Sequence, residues 1–431
     1  MATNNILTDA VITKRSMAVL HNQLGFVKGI NREYSKEFGV TGGKIGSSVN
    51  VRKPNRYAVQ QGPTITPQGT TETTTPLTLN RQWVVPMSFS SSELTLHIDE
   101  FDKRYITPAI SKLASQIDLD CYAAAITGSY RDGVAVGGGA GPINTTIGTP
   151  GITPGTSGGT AVGLLQYNSP AYYLNAGMIL DKQVAARDGR RSMCIDPAAN
   201  ASSAAALFSI FNPTKEVSDT YRNGLLGNTG GFDWVMDQNV YTHTAGTRAI
   251  SGEITVSSTW AAGPNLILTA GTAVPTIAAG DTFTVAGCYS VNPETQQSTG
   301  LLQQFVVTAG VTMSGATSVA ISPTPIVAGA GVVNGNVTVA PTAAAAVVWT
   351  TGAASTVSPQ NLAFHADAFT LGTADLEIPS GVGFGARESM DGISMRVLRD
   401  YNINTDFTIC RIDVLGGFAT LRPELAVRIA G

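Results

Sequence analysis

Metal ligation or nucleophilic catalysis in this chain would have to draw on four histidines, four cysteines and a few closely spaced carboxylates. His21, His97, His243 and His365 have no Cys or carboxylate at a metal-ligand spacing such as HExxH. Phe364-His365-Ala366-Asp367 offers half of a His–Asp dyad, but a packed histidine with a local partner accounts for it as well. Cys121, Cys194, Cys288 and Cys410 lie far apart without a CxxC pair and read as free, mostly buried thiols. Gly137-Gly138-Gly139 is not followed by the Lys-Ser/Thr of a phosphate loop. Gly381-Val382-Gly383-Phe384-Gly385 lacks the strand–turn–helix setting of a dinucleotide turn, and no GxSxG elbow occurs. Asp99-Glu100 and Asp118/Asp120 fall on helix faces, where solvated charge is the default. The pattern predicts no catalytic residue, no cofactor, no metal ligand and no enzyme.

Charge is the more telling property. Only 13% of the 431 residues are charged, against about 25% in ordinary soluble domains. Between Val240 and Ala345 the acidic and basic groups reduce to Arg248, Glu253, Asp281 and Glu294. Such a chain is either secreted and β-rich, or it hides surface against copies of itself; the second reading is preferred here. The net charge of −3 gives no reason for tight nucleic-acid binding. No run reaches the roughly 18 apolar residues of a membrane span. Met1 to Leu7 lacks the basic and apolar regions of a signal peptide, so a reducing cytosol is expected.

The elements alternate between helical and extended character. A helix is predicted from Thr8 to Val27, then a break at Gly39, Gly42, Gly43 and Gly46. From Ser47 to Phe89 the chain reads as a long hairpin-like excursion with a polar, Pro/Thr-rich middle. A short helical segment, Ile98 to Tyr105, leads to the strongest helix. There Thr107 caps, Pro108 opens, and Ile110, Leu113, Ile117, Cys121 and Ala124 recur at helical spacing up to Gly128. Gly133 to Gly163 reads as a loop. Ser169-Pro170 opens a helix that stops at Gly189, and an Ala-rich helix is expected from Asn200 to Phe211, with strands at Ser192–Ile195 and Phe232–Met236. Ile254–Val256, Leu266–Leu268, Thr282–Val285, Gln304–Val307 and Val319–Ile321 are short strands at regular spacing, the mark of a small sandwich or barrel. From Asn361 the mixed α+β character returns, as if the β segment were inserted into a host. Two strand-like pieces, Phe407 to Leu415 and Phe418 to Ile429, split by Gly416-Gly417, close the pattern.

Arg52, Lys53, Arg56 and Arg81 stand on the excursion, while Asp99, Glu100 and Asp102 precede the long helix. They are ordinary solvated charge or, in the sharper reading, complementary contacts between copies, which set register more than affinity.

Arg104-Tyr105-Ile106-Thr107-Pro108-Ala109 running into Leu113-Ala114, then Asn361 through Phe369, and Gly417-Phe418-Ala419-Thr420-Leu421-Arg422-Pro423-Glu424 resemble the major coat protein of P22-like tailed phages. Asn5-Ile6-Leu7-Thr8 and Asn31-Arg32-Glu33-Tyr34 fit the same family. The resemblance implies an α+β, HK97-type capsid fold with an inserted all-β, barrel-like domain. It implies an N-terminal arm over 1–46, an extended loop over 47–90, and a peripheral domain over 91–164 with a spine helix at 108–127. The axial domain would take 165–238 and 346–405, the insert 239–345, and the peripheral domain's C-terminal strands 406–431. It further implies self-assembly into pentamers and hexamers in the host cytoplasm, guided by scaffolding and portal proteins, with weak, non-specific contact to packaged DNA. A tail-tube, fibre or surface-layer protein would share the Thr/Gly-rich β character without needing the long helix or the insertion. A surface-acting hydrolase would need a convergent polar site.

Overall fold

The computed structural model describes residues 9–35, 38, 46–57, 59, 62, 63, 67, 69, 72–90, 105–131, 171–208, 228–248, 254–270, 274–329, 332–350 and 354–430. It is α+β with strands predominating, and it divides into two compact units. The first comprises 1–53, 74–122 and 369–421; the second comprises 54–73, 123–368 and 422–431.

In the first unit the long strand Phe407–Thr420 is the axis of an antiparallel sheet. Ile393–Asn402 and Phe369–Ala374 pair with its two halves, Phe384–Met390 extends the sheet, and Arg81–Ser90 also pairs with the long strand. Helix α1 (Asp9–Gln23) turns Thr13, Ser16, Met17 and Leu20 inward, the spacing of one helical face, and packs on the Phe384–Met390 strand. Helix α2 (Thr107–Gly128) buries Ile110, Leu113, Ala114, Ile117, Cys121, Tyr122 and Ala125 along one stripe, as its periodicity predicts. Its buried Asp118 accepts the backbone N–H groups of Gly25 (2.7 Å) and Val27 (3.0 Å), fixing the turn after α1. Ser48–Arg52 and Thr74–Thr78 form a two-stranded ribbon. Phe38, Val51, Leu77, Leu79, Ala374 and Leu415 pack together in its core.

The second unit contains a host sheet and a barrel. In the host sheet the order is Ala426–Ala430, Val357–His365, Arg191–Ile195, Phe232–Met236, Asn228–Thr229. The Arg191–Ile195 and Phe232–Met236 pair is parallel. Helix α3 (Ala171–Lys182) precedes it, and helix α4 (Pro197–Phe208) lies between the parallel strands in sequence. The barrel strands run in the order Val347–Trp349, Thr282–Val291, Ser298–Val307, Ala316–Ser322, Asn265–Ala270, Ile254–Val256. A bridge between Thr255 and Ala346, with Val256 N–H donating to Ala345 O (3.0 Å), closes the ring. Its interior is apolar: Phe283, Phe305, Val285, Leu266, Leu268, Val319 and Ile321 are all buried. Thr242–Thr244, leading into the barrel, pairs antiparallel with Val357–Pro359, leading out of it.

Several expectations need correction. Arg81–Ser90 does not close the excursion on itself but pairs with Phe407–Thr420, more than 300 positions away. The segment 346–405 is divided: Val357–His365 joins the host sheet, whereas Phe369–Asn402 joins the first unit's sheet. The segment 406–431 is divided likewise, because Ala426–Ala430 pairs with Val357–His365. From Asn361 the described chain is strands and single 3-10 turns rather than mixed α+β. Gly416-Gly417 does not split the strand. An ideal Cβ on Gly417 would fall 2.0 Å from Thr78 O, and one on Gly416 2.9 Å from the Trp83 ring, so these glycines admit close packing instead of breaking the chain. Helix α3 ends at Lys182, well before Gly189; Val184 follows with φ +59°, and the Arg191 guanidinium takes the carbonyls of Ala185 and Ala186. Helix α4 starts earlier than Asn200 because Asp196 caps it, accepting the N–H groups of Ala198 and Ala199 with Pro197 in the first turn. His97, Asp99, Glu100, Asp102, most of the Ile98–Tyr105 segment and the Gly133–Gly163 loop lie outside the described residues.

Candidate functional site

The polar groups that could act chemically are drawn into structural pairs. His243, on the strand leading into the barrel, places Nε2 3.0 Å from Asp281 Oδ1, and both residues are buried. Asp281 also accepts the N–H groups of Ala278 (2.9 Å) and Gly246 (3.2 Å), and Arg248 stands 3.9 Å away while covering the Trp349 ring. Burial is the largest influence on the Asp281 carboxyl and pushes it up. The His243 hydrogen bond, the Arg248 charge and the Ala278 N–H together outweigh it and hold the group below the usual carboxylate range. The cluster ties the start of the barrel to its wall.

His365 is also buried. Its Nε2 lies 3.1 Å from Asp188 Oδ1, and the neighbour expected from sequence, Asp367, donates its backbone N–H to Nδ1 (3.2 Å) and brings its carboxylate within 3.6 Å of the same nitrogen. Both ring nitrogens are thus engaged within the chain. In the first unit Asp391 gathers His21 (3.1 Å) and Arg32 (2.6 Å), and its carboxyl is held low by the His21 hydrogen bond first. All four cysteines are free and buried; burial pushes the Cys288 thiol up to about 12, far from a reactive thiolate. Among the described residues no three His, Cys, Asp or Glu side chains are placed to share a metal ion.

The residues suggested as contacts between copies separate into groups. Arg81 reaches Asp120 of α2 (3.6 Å), which also accepts the Trp83 indole N–H (2.8 Å). Arg56 meets Glu424 (3.7 Å), a carboxylate shared with Arg422 (3.3 Å). Arg81 and Arg56 thus pair with carboxylates of their own chain. Arg52 is exposed and Lys53 half-buried at the end of the ribbon, and their proposed acidic counterparts lie outside the described residues.

The most deeply placed charges escaped sequence reasoning. Asp413 is fully buried and accepts from Arg396, Arg411 (2.9 Å) and Gln82 (3.2 Å), tying together three neighbouring strands. Arg428 is fully buried within Ala426-Val427-Arg428-Ile429-Ala430. A lone arginine in an otherwise apolar strand was the one local sign available, and it went unread.

A family model described as P22 coat protein, gene protein 5, matches residues 174–431, more than half of the chain. No curated protein sequence matches significantly. Among solved structures the chain is similar to one from Mycobacterium phage Che8, with TM-score 0.42 and 10% identity over 94% of this chain and 90% of that one. It is also similar to the capsid of cyanophage P-SCSP1u, with TM-score 0.41 and 11% identity over 90% and 83%. The CUS-3 coat protein I-domain is covered over 97% of its length by 23% of this chain, at 26% identity and TM-score 0.19. The family match decides the assignment: the chain belongs to the P22 coat protein family and is a major capsid protein of a tailed bacteriophage.

Proposed function

We propose that this coat protein associates into pentamers and hexamers of HK97-type subunits that close an icosahedral head around double-stranded DNA. The observation that carries the reading is the family match across residues 174–431. In this reading the first unit supplies the arm, the extended loop and the peripheral sheet, and α2 serves as the spine. The host sheet of the second unit is the axial part, and the barrel is an insertion whose connecting strands are neighbours. An uncovered apolar hairpin end, with Ile403 83% exposed beside Tyr401, Phe407 and Ile409, supports contact between copies. Arg52, Lys53, Arg56 and Arg81 are proposed to meet Asp99, Glu100 and Asp102 of a neighbour. Scaffolding and portal proteins are the proposed partners in the host cytoplasm. A net charge of −3 suits a wall that contacts packaged DNA weakly. Its role is structural, without catalytic turnover.

Negative-stain microscopy of the recombinant protein, with and without a co-expressed scaffold, tests this reading. Closed shells of uniform size are expected with scaffold; soluble monomers under both conditions would overturn it. Reversing Arg52, Lys53 and Arg56 to Glu is expected to block shells while the monomer stays folded. Normal shells from that variant would show these charges to be solvated decoration.

A further inference from the structure

Arg428 stands where three parts of the second unit meet. Its Nη1 donates to Gly280 O of the barrel (2.7 Å), and its Nε and Nη2 donate to Gln360 Oε1 of the host sheet (3.2 and 2.8 Å). Its backbone N–H donates to Arg131 O (2.8 Å), just beyond α2. Gln360 is itself held, its Nε2 on Ser358 Oγ (2.8 Å) and its backbone N–H on Tyr241 O (3.0 Å) of the chain leading into the barrel. On the barrel side Gly280 has φ +93° and packs so closely on the His243 ring that a Cβ would come within 3.2 Å of it. Gly280 therefore presents its carbonyl to Arg428 in one fixed direction, next to the buried Asp281.

A planar, five-donor guanidinium is the side chain suited to bridge carbonyl and amide oxygens from separate elements at once. Its burial is costly unless those bonds are made, so the arrangement is close to all-or-none. A second link, Lys182 Nζ to Thr299 O (3.0 Å) and Asn292 Nδ2 to Lys182 O (3.1 Å), lies elsewhere between α3 and the barrel and is made by more accessible groups.

We infer that Arg428 is a latch that fixes the orientation of the barrel on its host sheet, separately from the forces that fold either part. With the latch open, the barrel keeps its apolar interior and the host keeps its ladder, but the two connecting strands between them loosen.

Hydrogen exchange on the full chain, read residue by residue for Arg428→Met, tests the latch. Three amides report on the joint: Ala245 (on Thr356 O), Ser355 (on Gly246 O) and Gln360 (on Tyr241 O). Two report on the barrel, Val256 (on Ala345 O) and Ile321 (on Pro264 O). The joint amides are expected to exchange on the order of ten-fold faster, with the barrel amides within about two-fold of the unaltered protein. Arg428→Lys, which keeps one donor for Gly280 O, is expected to restore part of the protection. Equal loss of protection in joint and barrel would overturn the inference, since Arg428 would then serve general stability; unchanged joint amides would overturn it too. If Arg428→Met does not fold, Gln360→Met removes the host half of the latch and is read by the same two sets of amides, with the same outcomes deciding.

Discussion

The barrel keeps its buried carboxylate, Asp281, at the joint where the chain enters, whereas the sheet around Phe407–Thr420 carries Asp413 in the middle of a strand. Around Asp281 the partners are one histidine, one arginine and two backbone N–H groups, and the barrel interior beyond them is apolar. Around Asp413, Arg396 and Gln82 project from adjacent strands, Arg396 directly opposite in the register, and Arg411 comes from the same strand. Charge thus anchors a joint in one region and cross-links a ladder in the other. The contrast also explains the charge-poor stretch. Its low charge goes with a closed barrel cored by Val, Leu, Ile and Phe, whose ring leaves little sheet edge to protect with charges.

The most drastic test of the contrast removes the barrel. Ser355 N–H donates to Gly246 O (3.0 Å), so the ends of the excision are adjacent. Replacing residues 247–354 by a short linker is expected to leave a folded protein with native-like circular dichroism for the remaining sheets. Global unfolding would show that barrel and host are one cooperative body.

Point substitutions sharpen the comparison. Asp281→Ala removes the buried acceptor of His243 and of the Gly246 and Ala278 N–H groups, and is expected to cost about 3–5 kcal/mol in urea unfolding. Asp413→Ala is expected to cost roughly 3–5 kcal/mol as well, by removing the buried carboxylate that holds Arg396 and Arg411. The difference lies in place: loss of protection should centre on the barrel joint for Asp281 and on the long strand for Asp413. The same pattern of exchange from both variants would erase the distinction.

Acid probes the barrel carboxylate directly. The Asp281 carboxyl is held low in the folded state, so near its titration the unfolded chain binds more protons and stability rises with pH. Its contribution is fully present above the unfolded value of about 3.9 and is lost as pH falls through the folded one. Asp281→Asn should therefore flatten the acid limb of the stability curve below about pH 4. An unaltered acid limb would assign that limb to other depressed carboxylates, such as Asp391 and Asp181.

The smallest effect on the subunit is expected at the uncovered hairpin end. Ile403→Asp should shift subunit stability by no more than about 0.5 kcal/mol while lowering shell yield. Full shell yield from that variant would remove the hairpin from the assembly surface.

Periodicity carried a good part of the fold. The stripe Ile110, Leu113, Ile117 and Cys121 marked α2, because burial on a helix repeats at its period, and short apolar runs at regular spacing marked the barrel strands. The resemblance in Asn361–Phe369 and Gly417–Glu424 carried the family, which the model match over 174–431 then established. Strand partners were not legible: Arg81–Ser90 reads as half of a hairpin, yet its ladder lies with Phe407–Thr420. The buried polar centres were hidden for a related reason. Asp281, Asp413 and Arg428 look like solvated charges in sequence, since nothing local reveals that His243, Arg396 or Gly280 O will be brought to them. Local pattern specified most of the elements and the apolar barrel interior, and the resemblance specified the kind of protein. Tertiary structure alone decided how residues 346–431 divide between two sheets and where buried charge is satisfied, because pairing and desolvation depend on groups hundreds of positions apart.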